Sequence, residues 1–202
     1  MTSIINIIKN ANKFTKFDIN GNKKSKFWLN YLTFSLFPVF FSILASFVAR
    51  DSFDYDTRTI GALLSLFTGL LFGLLLKISD KVRDIPLKGN MKSENQKNKR
   101  IQEVNYLKLF FYFLSYSIIV SLAIITLLII ESFIPFLHDL KLSSYTFSNK
   151  VNLDEILLFC KIIVTCFYRF LVVYFLIVFI LHILLSVSYL YEYIKFDFSK
   201  LD

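Results

Sequence analysis

The sequence predicts an all-α integral membrane protein, a four-helix bundle with both termini on the cytoplasmic side. Three observations predict it. Of the 202 residues, 55% are hydrophobic and only 19% charged, against about a quarter charged in an ordinary soluble domain. The charges are missing from four stretches near the roughly 20 residues that a helix needs to cross a hydrocarbon core of about 30 Å. The basic residues fall mostly on one alternate set of connections. Inside lipid every backbone polar group must be bonded within the chain, so the length of these runs outweighs the strand preference of their many Phe, Ile and Val residues.

Residues 1–26 form a basic segment. Ile4, Ile5, Ile8, Ala11 and Phe14 recur at helical spacing between Ser3 and Phe17, with Lys9, Lys13 and Lys16 elsewhere on the wheel. That is the pattern of an amphipathic helix lying on the inner leaflet, the alternative being a disordered basic tail. Spans follow at about 27–49, 59–76, 109–130 and 156–191, making a transmembrane domain of 27–192 ahead of a cytoplasmic tail, 193–202. The first span is read as retained, because its apolar run exceeds that of a signal peptide and no small-residue cleavage pattern follows.

Orientation follows from the basic residues. The N-terminal segment, the connection 77–108 and the tail hold 17 of the 23 Lys and Arg residues, which places them inside and accounts for the net charge of +8 without a nucleic acid. Pro86 is expected to end helix two, and helix three is expected to emerge from the membrane by about two turns. The outer turn holds Asp51, Asp54 and Asp56, a loose likeness to a calcium loop that lacks its remaining ligands. The outer connection 131–155 is rich in apolar residues, including Phe133, Ile134, Phe136, Leu137 and Leu140, as expected of a segment that caps the helices or rests on the membrane. Asn152 is the expected N-cap of helix four, with Glu155 three residues on.

Three features bear on function. Gly61, Ser65, Gly69 and Gly73 repeat every four residues in span two; small residues let helix backbones approach in lipid, either within one subunit or between subunits. Lys161, Arg169 and His182 place charge and polarity in helix four. If that span occupies 170–191, Arg169 sits at the outer boundary and can snorkel. If it starts near 156, Arg169 is deep and needs a partner or a water-lined path. Finally Lys92, Lys97, Lys99 and Arg100 form a basic inner surface, either a solvated loop or a site for a partner. No phosphate-binding loop, dinucleotide motif, nucleophile elbow or zinc motif occurs, and Cys160 and Cys166 lack companions for a metal site or disulfide framework. Neither an enzyme nor a cofactor is expected, and direct nucleic-acid binding is not expected.

The stretch Gly61-Ala-Leu-Leu-Ser-Leu-Phe-Thr-Gly-Leu-Leu-Phe-Gly73 running into Lys77-Ile-Ser-Asp-Lys81, with the length and four-span plan, resembles the KwaA-type membrane component of the Kiwa bacterial antiphage defence system. That resemblance implies a homo-oligomer, a tetramer favoured, in the bacterial inner membrane, sensing phage contact or membrane disturbance with a cytoplasmic, DNA-binding partner encoded nearby. Related defence architectures of the Hailong type use four-span oligomers as ion-conducting effectors, so a gated pore is the second form of this expectation. The rival readings are a four-span immunity protein against a pore-forming toxin and a transporter subunit. The transporter is disfavoured because the spans hold no Asp or Glu, which ion-coupled transport usually requires near the midplane.

Overall fold

The computed structural model describes residues 2–17, 24, 27–48, 57–84, 94–140 and 153–198. These residues are almost entirely helical: α1 (Thr2–Lys16), α2 (Phe27–Tyr31), a π-helical turn (Leu32–Leu36), α3 (Phe37–Val48), α4 (Thr57–Asp84), α5 (Glu94–Phe133), α6 (Phe136–Asp139) and α7 (Leu153–Phe198). Four helical stretches are long and apolar enough to cross a membrane: Trp28–Ser46, Thr57–Arg83, Arg100–Phe133 and Leu153–Phe196.

Two of the three prolines account for interruptions, and Pro86 lies outside the described residues. Pro38 carries no N–H and its ring crowds the carbonyl four residues back. The turn ahead of it widens accordingly, with the N–H of Phe37 donating to the carbonyl of Leu32. Pro86 follows the end of α4 by two residues, and Pro135 follows the end of α5 by two; the residue before a proline avoids helical angles. Where proline is absent the helices run on. α5 begins at Glu94, about four turns before the expected start of span three rather than two, and α7 continues unbroken for 46 residues, about 69 Å. The connection 77–108 is therefore helical at both ends, only 85–93 lying outside the described residues.

Packing follows a 3-4 spacing of buried positions. On α5 these are Leu107, Phe110, Leu114, Ser117, Ser121, Ile124, Leu128 and Glu131. On α7 the series is Thr165, Tyr168, Val172, Phe175, Phe179, His182, Ser186, Tyr189 and Tyr193, all buried or half-buried. On α4, Gly61, Leu64, Thr68, Leu71, Leu75 and Ile78 do the same. Alternating steps of three and four keep one seam facing a neighbour that crosses at about 20°. The facing pairs keep register: Gly61 meets Leu128, with 4.0 Å from a Leu128 methyl to where a Cβ would stand, and seven residues further along each helix Thr68 Oγ1 lies 2.7 Å from Ser121 Oγ. Between α5 and α7, Glu103 faces Tyr193 and Glu131 faces Tyr168. Both pairs of helices are thus antiparallel.

The spans lie in the order one, four, three, two. α5 and α7 share the largest contact, α4 packs on α5, and α3 lies against α7, with buried residues of α4, α5 and α7 joined in one core. Span three is the inner member: half of its apolar window is buried, against 11% in span one and 17% in span two. The amphipathic α1 docks on α5 through Ala11 and Phe14, which pack with Leu109 and Phe113, while Ile4 and Ile5 stay exposed. Lysines cluster with tyrosines at this end. Lys24 Nζ donates to the carbonyl of Phe14 at 2.6 Å and to Tyr189 Oη at 2.8 Å. Lys16 lies over the ring of Tyr31 at 4.7 Å and Lys81 over that of Tyr193 at 4.6 Å. These contacts bring α1, the C-terminal end of α4 and that of α7 to one side of the molecule.

The Thr68–Ser121 pair gives a direct test of the seam. A double-mutant cycle of Thr68→Val and Ser121→Ala, followed by unfolding in detergent, is expected to return a coupling of about 0.6 kcal/mol, the usual size for a hydrogen bond between membrane helices. Zero coupling would mean that the two hydroxyls do not meet.

Candidate functional site

Because the seams are set by spacing and not by residue type, they carry polar side chains into the interior. Three serine hydroxyls are satisfied locally: Ser117 Oγ donates to the carbonyl of Phe113 at 2.9 Å, Ser121 Oγ to that of Ile118 at 2.8 Å, and Ser186 Oγ to that of His182 at 2.9 Å, whereas the buried Ser115 Oγ and Thr165 Oγ1 meet no hydrogen-bond partner among the described residues. Side chains bonded in this way hide their polarity on their own helix and leave room for close helix contact.

The larger polar groups gather where the C-terminal end of α5 meets α7 near Tyr168. Glu131, the last seam position of α5, is buried, and Tyr168 Oη donates to its Oε2 at 2.8 Å and to the carbonyl of Leu127 at 3.2 Å. Arg169 is only 1% exposed, and its Nη2 donates to the carbonyl of Leu140 at 3.0 Å. That carbonyl belongs to a strap, residues 134–140, which contains α6 and folds back over the helix ends. Leu137 of the strap is buried against Tyr168 and Val172, and Lys161 Nζ stands 5.9 Å from the ring centroid of Phe136. Lys161 and Arg169 therefore both engage the strap. Arg169 lies level with Glu131, next to the Tyr168 that pairs with it. Of the described apolar residues of the connection 131–155, Ile134, Phe136 and Leu137 cap the helix ends, while Phe133 is exposed.

His182 lies elsewhere, on the α7 seam toward the basic end. Its ring is 4.4 Å from that of Tyr116, 5.9 Å from Phe34 and 6.0 Å from Phe113. Nδ1 is 2.8 Å from the carbonyl of Val178; a carbonyl can only accept, so Nδ1 carries the proton and Nε2, which meets no hydrogen-bond partner among the described residues, presents a lone pair to an aromatic wall. The structure does not bring His182 together with Lys161 and Arg169.

The small-residue series of α4 divides. Gly61 lies on the seam, whereas Ser65, Gly69 and Gly73 are exposed, with nothing within 4 Å of where a Cβ would stand on Gly69 or Gly73. A step of four residues rotates by about 40° on a helix, so the series turns away from α5 as it proceeds. Of the basic surface, Arg100 is half-buried on α5; Lys97 and Lys99 fall on the same helix, and Lys92 lies outside the described residues, as do Asp51, Asp54, Asp56 and Asn152. Cys160 is exposed and Cys166 half-buried, both unbridged. Among the described residues no three His, Cys, Asp or Glu side chains are grouped as a metal would require.

Glu131 and Tyr168 were the partners that sequence reasoning missed. The available signal was spacing: Glu131 continues the series Ser121, Ile124, Leu128 by three residues, and Tyr168 precedes Val172 by four. No protein-family model matches this chain, and neither does any curated protein or solved structure.

Tyr168→Phe removes the hydroxyl that Glu131 uses while keeping the ring against Leu137. It is expected to cost about 1–3 kcal/mol in unfolding measured in detergent, and to speed proteolysis within 134–140. An unchanged midpoint together with an unchanged cleavage rate would show that the strap is held by other contacts.

Proposed function

We propose that the protein is a non-enzymatic, homo-oligomeric component of a bacterial inner membrane, with both termini cytoplasmic, that senses a disturbance at the membrane and passes it to a cytoplasmic protein in antiphage defence. The observation that carries the oligomeric part is the division of α4. One side, Leu64, Leu71 and Ile78, is buried on α5, while the smallest stretch of its surface, around Ser65, Gly69 and Gly73, is left open. In lipid, helices associate through close van der Waals contact and hydrogen bonds, and small residues supply that contact. Lipid alone has no need of a smooth strip bordered by the exposed Leu66, Leu70 and Phe72; a second helix does.

A second feature supports assembly. Tyr168 pairs with the last turns of α5, so Leu153–Val164 extends past them by about 20 Å. It carries the exposed residues Leu153, Ile156, Leu157, Phe159 and Ile163. An apolar helix end beyond the span calls for a protein neighbour. The sensor or scaffold form is preferred to the gated pore because Arg169 and His182 are directed into the chain's own core, at 1% and 3% exposure, and not toward a surface that a second copy could turn into a water path. The defence setting rests on the resemblance to the Kiwa component alone, and the cytoplasmic orientation on the asymmetry of Lys and Arg.

Mass measurement in mild detergent is expected to give an oligomer, with Gly69→Leu and Gly73→Leu each shifting it toward the monomer without loss of helicity. A strictly monomeric parent protein would overturn the proposal and favour the immunity reading. Planar-bilayer recordings, in the presence and absence of the cytoplasmic partner, are expected to be silent; currents altered by Arg169→Ala would restore the pore. For orientation, a tag placed in 85–93 is expected to be protected in intact cells, and its labelling from outside would reverse the topology.

A further inference from the structure

At the basic end of the molecule, α4 and α5 part slightly and leave a cleft of about 320 Å³ lined by Ile78, Ser79, Val82, Val104, Phe111 and Tyr112, with Leu107 at its floor and Lys108 at its edge. The volume is at the lower end of ligand sites, about 300–1,000 Å³. We propose that this cleft holds one anionic phospholipid, its acyl chain between the helices and its phosphate on Lys108.

Three observations select that occupant. The first is chemistry: six of the eight lining side chains are aliphatic or aromatic, and the single charge among them is the exposed Lys108. An apolar slot with one cation at its rim complements an acyl chain ending in a phosphate. The second is charge placement. At about 100° per residue, Ile78, Ser79 and Val82 share one side of α4, with Lys81 and Arg83 on its two borders and Asp80 turned to the far side. Glu103, next to Val104, is directed instead to Tyr193 of α7, whose Oη is 3.4 Å from its Oε1. Lys108 at the rim and Arg83 on the border of α4 thus flank the cleft, while Lys81 and Glu103 both turn to Tyr193. The third is depth. The cleft lies at the level of the Lys81–Tyr193 contact and beside Tyr112, which stacks obliquely on Phe14 of the amphipathic α1 at 5.6 Å. Lysine–tyrosine pairs and an amphipathic helix both mark the height of lipid headgroups. A soluble anion would leave the apolar walls uncovered, and a protein helix is too wide for the space; a lipid fits both ends. Basic pockets between helices at this leaflet bind anionic headgroups by the same physics.

The test uses the full chain, purified in detergent and incubated with equal amounts of phosphatidylglycerol and phosphatidylcholine, with retained lipid counted by native mass spectrometry. One phosphatidylglycerol per chain is expected to be retained in preference to phosphatidylcholine. Lys108→Gln is expected to weaken retention by roughly fivefold, the share of one basic residue near an anionic surface, and Val82→Trp, which fills the cleft from an exposed position, is expected to abolish it. Lys9→Gln, on the exposed face of α1, is expected to change nothing and controls for diffuse attraction. Equal retention of the two lipids, or the same retention in Lys108→Gln and Val82→Trp as in the parent, would overturn the proposal. So would a change of oligomer mass in Val82→Trp with lipid retention intact, which would make the cleft a seam between copies. Helicity and melting of each variant are measured alongside, and because Lys108 and Val82 are both exposed, Lys108→Gln alone decides the matter if the tryptophan disturbs folding.

Discussion

The 3-4 spacing of buried positions along α5 is the constraint on which the rest of the structure depends. Lipid tails are as apolar as leucine, so burial of apolar surface cannot drive one membrane helix against another; close contact and a few hydrogen bonds must do so. A seam held in register for the whole length of a span supplies both. α5 offers one such seam from Leu107 to Glu131, and α4 and α7 both bring matching series to it. A substitution that merely exchanges one apolar residue for another on the lipid side leaves this intact. Lengthening a helix by a single residue would not, because every position beyond the insertion turns by about 100°.

The same constraint decides which polar groups become interior. Glu131, Thr165, His182 and Ser186 have little in common chemically, yet each occupies a seam position and each is buried. Charge in a membrane is tolerated where it is paired or solvated, and the outer cluster meets that condition with protein groups: Tyr168 on Glu131, and the Leu140 carbonyl on Arg169. The strap is therefore held as much by the polar ends of the helices as by Leu137. Conversely, Gly69 and Gly73 are small enough for any interior, yet they remain outside because a four-residue repeat drifts off the seam.

Much of this was legible in the sequence, and the parts that were not have physical reasons. The four spans follow from composition and length alone, and the helix ends near Pro86 and Pro135 from the angles that proline denies to its predecessor. The widened turn before Pro38 follows from the same residue but depends on how the chain absorbs a lost hydrogen bond, which spacing cannot reveal. The four-residue series in span two is conspicuous by its glycines, while the true contact face, Leu64, Leu71 and Ile78, is camouflaged among leucines that look alike. Counting steps of three and four, and not small residues, would have found it. The Arg169 environment was out of reach because its partner carbonyl, Leu140, arrives by a reversal of the chain at Pro135.

What a single chain leaves uncovered differs from span to span, and that difference separates lipid from protein as the missing neighbour. The exposed leucines and phenylalanines of α3 and α4 lie within the length of a span, where acyl chains are an adequate solvent, so their exposure demands nothing. Leu153, Ile156, Leu157 and Phe159 are exposed to a similar degree, but they lie beyond the last turn of α5, past the level of Glu131 and Arg169. Acyl chains do not reach that far if Arg169 marks the boundary, and water disfavours such a surface. In the proposed assembly another protein surface would cover this helix end. The small-residue strip of α4 and the apolar end of α7 lie at different heights along the helices, so an assembly that used both would grip each subunit at two levels.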